Sequence, residues 1–238
     1  MDFLFESLYF TEDSDVVKMG FSTKIGGFDP EWGFNLGFNT LENIEHVKIN
    51  REKYKEILGK DLEYAFAVQK HSNKVIYVDK GGEYEADGFV TDKRKLVLNI
   101  LSADCFPVLA HDTQNKVIGC FHAGWRGIKD GIIENGISLM LNYGAKLKRI
   151  LVYINPGIKW YDYEVQDDML KYFSSEVFYH KDNKLYLDLE KEIVIRLKKL
   201  GVVNIMSNFM STYREKNLYS YRRDKEKSGR FTSFIYLV

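Results

Sequence analysis

Neither charge is in excess in this 238-residue sequence: Lys and Arg total 34, and so do Asp and Glu. Such balance leaves no global electrostatic footprint for nucleic acid. Cysteine is scarce, with only Cys105 and Cys120, so a disulfide framework does not organise the fold. There are three prolines and no Gly/Ser-rich tract, hence no linker. One continuous domain over residues 1–238 is the expectation. No apolar run approaches the roughly 20 residues of a membrane span. The first ten residues, MDFLFESLYF, lack a basic region ahead of an apolar one. These absences predict a soluble, cytoplasmic protein with no nucleic-acid or membrane partner. Internal repeats are not evident. The dinucleotide GxGxxG, the phosphate loop GxxxxGK(S/T), the serine elbow GxSxG and the deaminase pattern HxE…PCxxC are missing too.

Hydrophobic residues reach 45% and aromatic residues 15%, enough for a sizeable core. Strands are predicted at 3–10, 63–69, 74–79, 96–101, 106–111, 116–121, 150–155, 202–206 and 231–237. Runs such as KLVLNIL and KVIGCF are nearly continuous in apolar residues, which suits strands covered on both faces. Helices are predicted at 47–59, 127–144, 165–175 and 188–201. The last is the clearest: Asp188 caps its start, basic residues fill its last turn and Gly201 follows. The pattern predicts mixed sheet packed under helices, in an α/β or α+β layer arrangement.

The stretch IGCFHAGWRG (118–127) leaves a strand through His122 into Gly124, Trp125, Arg126 and Gly127. Cys105 lies in LSADCFPVLA (101–110), between two strand-like runs. His71 lies in AVQKHSNKV (67–75), between two more. All three fall at strand ends, where side chains converge on one rim. Two imidazoles and a thiolate make a competent zinc set that keeps a fourth place open. Any one of these residues alone is more often a packed or surface residue. Their neighbours are polar or small: Gln69 and Ser72, Ala103 and Asp104, Ala123 and Gly124. Cys120, inside VIGCF, reads as a small buried hydrophobe. Arg126 comes two residues after Gly124 and precedes a predicted helix, where backbone N–H groups favour anions. Trp125 reads as packing before base stacking. Asp87, in ADG, caps a turn or orients a ligand. Arg222, Arg223 and Arg230 are candidate anion binders or the solvated face of a charged hairpin.

AVQKHSNKV, ADGFVT, ADCFPV, HAGWRG, YEV and SYRRDKEKSGR follow in order from about residue 21 to the C-terminus. They resemble the ordered motifs of the YfiH/laccase-domain family. That family is also described as multicopper polyphenol oxidoreductase-like, or as a purine nucleoside phosphorylase family. The resemblance implies an α-β-β-α layered sandwich, shared with the catalytic domain of a deamidating bacterial toxin. It implies zinc ligands at His71, Cys105 and His122. It implies phosphorolysis of adenosine, inosine and methylthioadenosine, and deamination of adenosine. Cys105, His122 and Arg126 then carry catalysis. Lys24, Asn35, Asp87, Arg126, Arg222 and Arg223 then contact nucleoside or phosphate. The partners are these small molecules, with no obligatory protein partner. Departures from the family pattern are Lys24 in TKIGG, Asn155 in NPGI and Ser211 in ST, which bear on anion or substrate binding.

Other readings use the same residues. Cys105 and His122 form a metal-free nucleophile–base dyad in a hydrolase or amidase, for instance in peptidoglycan-precursor editing. A single copper in the His/Cys/His set would support phenol oxidation. A multicopper relay needs more imidazoles than the five present. The zinc-dependent purine nucleoside enzyme, phosphorylase first and deaminase second, is the expectation carried forward.

Overall fold

The computed structural model describes residues 7–238. The chain runs β1 (Leu8–Asp13), β2 (Val17–Ser22), α1 (Ile44–Leu58), β3 (Glu63–Ala67), β4 (Val75–Tyr77), β5 (Gly82–Tyr84), β6 (Gly88–Thr91) and β7 (Leu96–Ser102). It continues through β8 (Phe106–Asp112), β9 (Val117–Ala123), α2 (Trp125–Asp130), α3 (Ile132–Asn142), β10 (Leu151–Ile154) and β11 (Glu164–Val165). The remaining elements are β12 (Phe178–Lys181), β13 (Lys184–Leu187), α4 (Leu189–Leu200), β14 (Asn204–Ser207), α5 (Tyr221–Asp224) and β15 (Phe231–Leu237).

Two six-stranded mixed sheets form, in the orders β1-β2-β15-β7-β3-β5 and β14-β10-β8-β9-β6-β4. A small sheet, β11-β13-β12, lies apart from both. Between the two large sheets is a dry core that includes Val17, Met19, Leu98, Ile100, Leu109, Ile118, Cys120 and Ile235. Behind the first sheet, Tyr54 of α1 packs with Phe66, Val97 and Phe234. Behind the second, Ile133 and Ile137 of α3 and Ile193 and Leu197 of α4 pack with Val108, Phe121 and Val152. The layers are therefore α-β-β-α, as the resemblance implies. Period-2 alternation sends Leu96, Leu98 and Ile100 to one core and Val97 to another, so both faces of β7 are covered and only Leu101 is half-buried.

Several expected elements differ. Residues 3–6 of the strand predicted at 3–10 lie outside the described residues, and the strand observed there is Leu8–Asp13. β2, VKMGFS, escaped sequence reading because its interior glycine reads as a breaker. The helix predicted over 127–144 is two helices, broken at Gly131, whose φ is 95°. Its internal Gly136 lets α3 approach β9: a Cβ there would lie 2.6 Å from the Phe121 ring. No α-helix forms over 165–175. Instead a 3-10 turn spans Asp167–Lys171, in which only Met169 is buried, too little apolar surface to hold an amphipathic helix.

Asn155, one of the departures from the family pattern, is fully buried where β10 ends. Its amide donates to the Gly20 carbonyl and the Ser233 hydroxyl, both at 3.1 Å, and accepts from the Thr11 hydroxyl at 3.3 Å. These partners belong to the opposite sheet, so one side chain ties the two sheets together. Asn155→Ala is expected to lower the unfolding free energy by about 1–3 kcal/mol, read by urea denaturation.

Candidate metal centre

The rim where the two sheets exchange chain is built by crossovers. After β3 in the first sheet, the chain passes through His71 to β4 in the second. After β7 it passes through Asp104 and Cys105 to β8. His122 is next to last in β9. Their ligand atoms, one from each of His71, Cys105 and His122, all lie within 4.8 Å of one another. The two imidazole rings meet edge to face, with centroids 4.8 Å apart. His71 is exposed, Cys105 half-buried and His122 buried, so the group opens to solvent on the His71 side.

Asp87, fully buried ahead of β6, holds this arrangement together. Its Oδ1 accepts from His122 Nδ1 at 2.9 Å and from the His71 amide at 3.0 Å. Its Oδ2 accepts from the Ser72 amide and hydroxyl, both at 2.7 Å, and from the Lys70 amide at 3.1 Å. These bonds keep His71 at φ 58°, a left-handed conformation that an ordinary residue adopts at a cost. They also place the His122 proton on Nδ1 and leave Nε2 free as a ligand. Asp87 thus caps a turn and positions the His122 ring; fully buried, with both oxygens committed to the protein, it is not placed to contact nucleoside or phosphate, contrary to what the resemblance implied.

Asp104 is strained as well, with φ 99°. Its carboxylate accepts from the Thr212 hydroxyl at 2.7 Å and the Arg222 amide at 2.6 Å, and its carbonyl accepts from the Ile158 amide at 2.8 Å. The Ser102 hydroxyl donates to the Cys105 carbonyl. Gln69 pairs its amide with both backbone groups of Leu101, joining the two crossovers. Sequence reading passed over Gln69 and Asp104 as positioning residues. The available signal was a polar residue two before His71 and another directly before Cys105.

Electrostatics follow from this geometry. Burial pushes the Asp87 carboxyl up, but the His122 and Ser72 hydrogen bonds prevail and hold it at about 2. Burial pushes the Cys105 thiol up, yet His122 and His71 outweigh it and bring it down to about 6. Burial lowers His122, while the Cys105 and Asp87 charges raise it to about 9. Without an ion the pair is therefore a thiolate beside an imidazolium at neutral pH: the sulfur is already in the form that binds metal, and His122 gives up its Nε2 proton when an ion takes its place.

The donors fit an ion. Zinc bonds of about 2.0–2.3 Å set neighbouring ligands roughly 3.3–3.8 Å apart, within reach of small side-chain shifts from the spacing seen. Backbone is cut away to make room: a Cβ on Gly124 would lie 2.8 Å from Cys105 Sγ and 3.3 Å from His71 Cδ2. The other three histidines are elsewhere. His46 is beside Asp29, His111 pairs with Glu12 at 3.1 Å, and His180 is on β12. Among the described residues, His71, Cys105 and His122 are the one group with this ligand geometry.

The remaining candidates divide. Arg126 is exposed beside the rim, its guanidinium 4.4 Å over the Trp125 ring. Trp125 in turn packs near Tyr172, with centroids 5.8 Å apart, in keeping with a packing role. Arg222 is drawn to the rim by its amide bond to Asp104 and lies 5.1 Å over the Tyr163 ring. Arg223 is not free for an anion: its guanidinium donates to the carbonyls of Thr212, Tyr213, Glu215 and Leu218 and pairs with Asp224. Asn35 is buried, accepting from the Gly37 and Arg230 amides and donating to Glu42 and Thr40, so its amide holds loops together. Lys24 lies 5.2 Å over the Tyr219 ring.

Residues 18–238 match the family model described as multi-copper polyphenol oxidoreductase laccase. The chain belongs to this family. It is 34% identical over 219 residues to a Clostridium acetobutylicum protein named purine nucleoside phosphorylase, covering 85% of this chain and 91% of that one. A Deinococcus radiodurans protein of the same name is 33% identical over 227 residues, covering 92% and 88%. A crystal structure of a Neisseria meningitidis protein superposes with a TM-score of 0.87 at 29% identity, over 98% of this chain and 99% of that one. The crystal structure of a Bacillus licheniformis hypothetical protein YfiH gives 0.87 at 28%, over 96% and 99%. The α-β-β-α sandwich of the laccase-domain family is thus the architecture of this chain. Among the described residues no helix is long and apolar enough to cross a membrane.

Two substitutions probe the centre. The Gly124 backbone is extended, so Gly124→Ala strains no dihedral and acts through the Cβ alone. It is expected to abolish stoichiometric metal binding while leaving the melting temperature of the metal-free protein unchanged. Asp87→Asn is expected to weaken metal retention by about 10–100-fold, read by competition with a chelating dye. The Asp87 carboxyl is held below its ordinary 3.8, at about 2. Its contribution to stability is complete above the ordinary value and disappears as pH falls through about 2. The difference in urea midpoint between metal-free wild type and Asp87→Asn should therefore shrink from about pH 4 to pH 2.

Proposed function

We propose that this chain is a zinc-dependent purine nucleoside phosphorylase, with adenosine deamination as a second activity. The observation that carries this reading is the convergence of His71, Cys105 and His122 at an open rim, backed by the buried Asp87. The names of the relatives supply the substrate class. The site residues would hold zinc through two imidazole nitrogens and one sulfur. Zinc bound there supplies Lewis acidity and a lowered pKa for a coordinated water. Asp87 keeps the His122 Nδ1 proton in place, so Nε2 is the nitrogen that would hold the ion. Arg222 and Arg126 bring positive charge to the rim, where a phosphate has to approach the ribose C1′. Two guanidinium groups suit a dianion better than a neutral nucleophile, which favours phosphorolysis over hydrolysis. The departure at Lys24 places a single-point cation where the family pattern has a planar guanidinium. Phosphate affinity is accordingly expected to be modest.

A second reading rests on the lowered Cys105 thiol beside His122. A thiolate–imidazole pair without metal is a nucleophile and base for acyl or amide substrates. The two readings exclude each other, since coordination blunts the sulfur. Copper suits the same three donors, but the scattered positions of His46, His111 and His180 supply nothing for a multi-centre electron relay.

Metal analysis of untagged protein and a nucleoside panel with and without phosphate test these readings together. The expected result is one zinc per chain and free purine from adenosine or inosine, dependent on phosphate. Cys105→Ser and His122→Ala are each expected to lose the zinc and to lower turnover by roughly two orders of magnitude or more. Metal-free protein rapidly inactivated by an alkylating agent, with no purine released by the zinc form, would replace the proposal with the dyad.

A further inference from the structure

The YEV motif found no place in the ligand group, yet its tyrosine lies beside it. Tyr163 is positioned by its backbone: its amide donates to the Trp160 carbonyl and its carbonyl accepts from the Leu187 amide, each at 3.1 Å. The Arg222 guanidinium lies 5.1 Å over its ring. Arg222 is bound through its own amide to Asp104, the residue before Cys105, and through Nη1 to the Glu164 carbonyl. Tyr163, Arg222, Asp104 and Cys105 therefore form one contiguous wall of the rim. The Tyr163 hydroxyl is within electrostatic reach of the Cys105 sulfur, the Asp104 carboxylate and the guanidinium groups of Arg222 and Arg126. It makes no hydrogen bond to any other described residue. The hydroxyl of this half-buried phenol is open to solvent and its donor is unspent within the protein, so a bound ligand can take the place of water there.

We propose that Tyr163 is a catalytic residue whose hydroxyl donates a hydrogen bond to a ring nitrogen of the purine as it departs. This role rests on the phosphorylase reading above. In phosphorolysis a phosphate oxygen bonds to C1′ while the C1′–N9 bond breaks, and that electron pair stays on the purine. Negative charge then grows on the ring nitrogens. Tyr163 keeps its own proton and stabilises this charge as a neutral donor; the proton that finally neutralises the purine is the one the hydrogen phosphate brought, released from the new phosphate ester and relayed by solvent. A phenol ionises at about 10 in water, so this one remains a donor at neutral pH. Fixed donors aimed at developing charge contribute through the transition state more than through ground-state binding.

Tyr163→Phe removes the hydroxyl and keeps the ring under Arg222. With full zinc content and unchanged melting as controls, kcat for inosine phosphorolysis is expected to fall about 10–100-fold, with KM changed by less than about fivefold. Calorimetric binding of inosine in the absence of phosphate is measured on both proteins. Wild type that phosphorolyses inosine while Tyr163→Phe matches it in kcat, KM and binding would overturn this role alone. Wild type that neither binds nor cleaves purine nucleosides would overturn the role and the phosphorylase reading together.

Discussion

One buried carboxylate sets the geometry of the rim. Asp87 accepts from three consecutive backbone amides, one hydroxyl and one imidazole. The amides shape the loop that carries His71, and the imidazole belongs to His122. Two of the three ligands, far apart in sequence, are thus referenced to the same two oxygen atoms. An ionised group with no exposure is tolerable because each of its lone pairs meets a donor. If the His122 imidazole or the loop that carries His71 moved, Asp87 would lose a bond inside the protein, so the arrangement resists distortion before any ion arrives.

The layered fold explains why the centre lies where it does. A sandwich of two sheets needs chain to pass from one sheet to the other, and at such crossings backbone leaves the ladder. His71 and Cys105 occupy two of these crossings, side by side because β3 and β7 are parallel neighbours. His122 meets them from β9, a strand antiparallel to β8. The cores on both sides of the second sheet fix those strand ends, so the ligands stand on rigid elements while their side chains reach an open rim. Left-handed conformations at His71 and Asp104 are the strain that such sharp exits require, and both are held by side-chain hydrogen bonds.

Much of this was legible in the sequence. Continuous apolar runs identified most strands of the two sheets, because burial on both faces removes the need for polar alternation. The two cysteines were told apart by their neighbours. Cys120, flanked by Gly119 and Phe121, lies in the inter-sheet core, where burial pushes its thiol well above its ordinary value. Cys105, preceded by Ala103 and Asp104, lies on the rim, where imidazoles draw its thiol down. Three kinds of feature were not legible. Short or glycine-bearing strands such as β2 and β6 are held by their neighbours rather than by local propensity. The helix expected at 165–175 had helical spacing but too little core to pack against. Arg223 and Asn35 have side chains suited to ligands, and only the tertiary structure shows those donors committed to backbone carbonyls and loops.

The same distinction, between polar groups that are spent and polar groups that are not, separates structural from chemical residues around the rim. Arg223 makes four bonds to carbonyls and closes a loop. Arg222, its neighbour, gives its amide to Asp104 and one guanidinium nitrogen to Glu164, and its other guanidinium nitrogens have no partner among the described residues. Asp104 connects that C-terminal segment to the residue beside Cys105, through Thr212 and Arg222 alike. A displacement of the segment by a bound anion would therefore be felt at the strained backbone next to the sulfur. The rim is in this way one hydrogen-bonded unit: Asp87 organises the side that carries the imidazoles, and Asp104 the side that carries the Arg222 guanidinium.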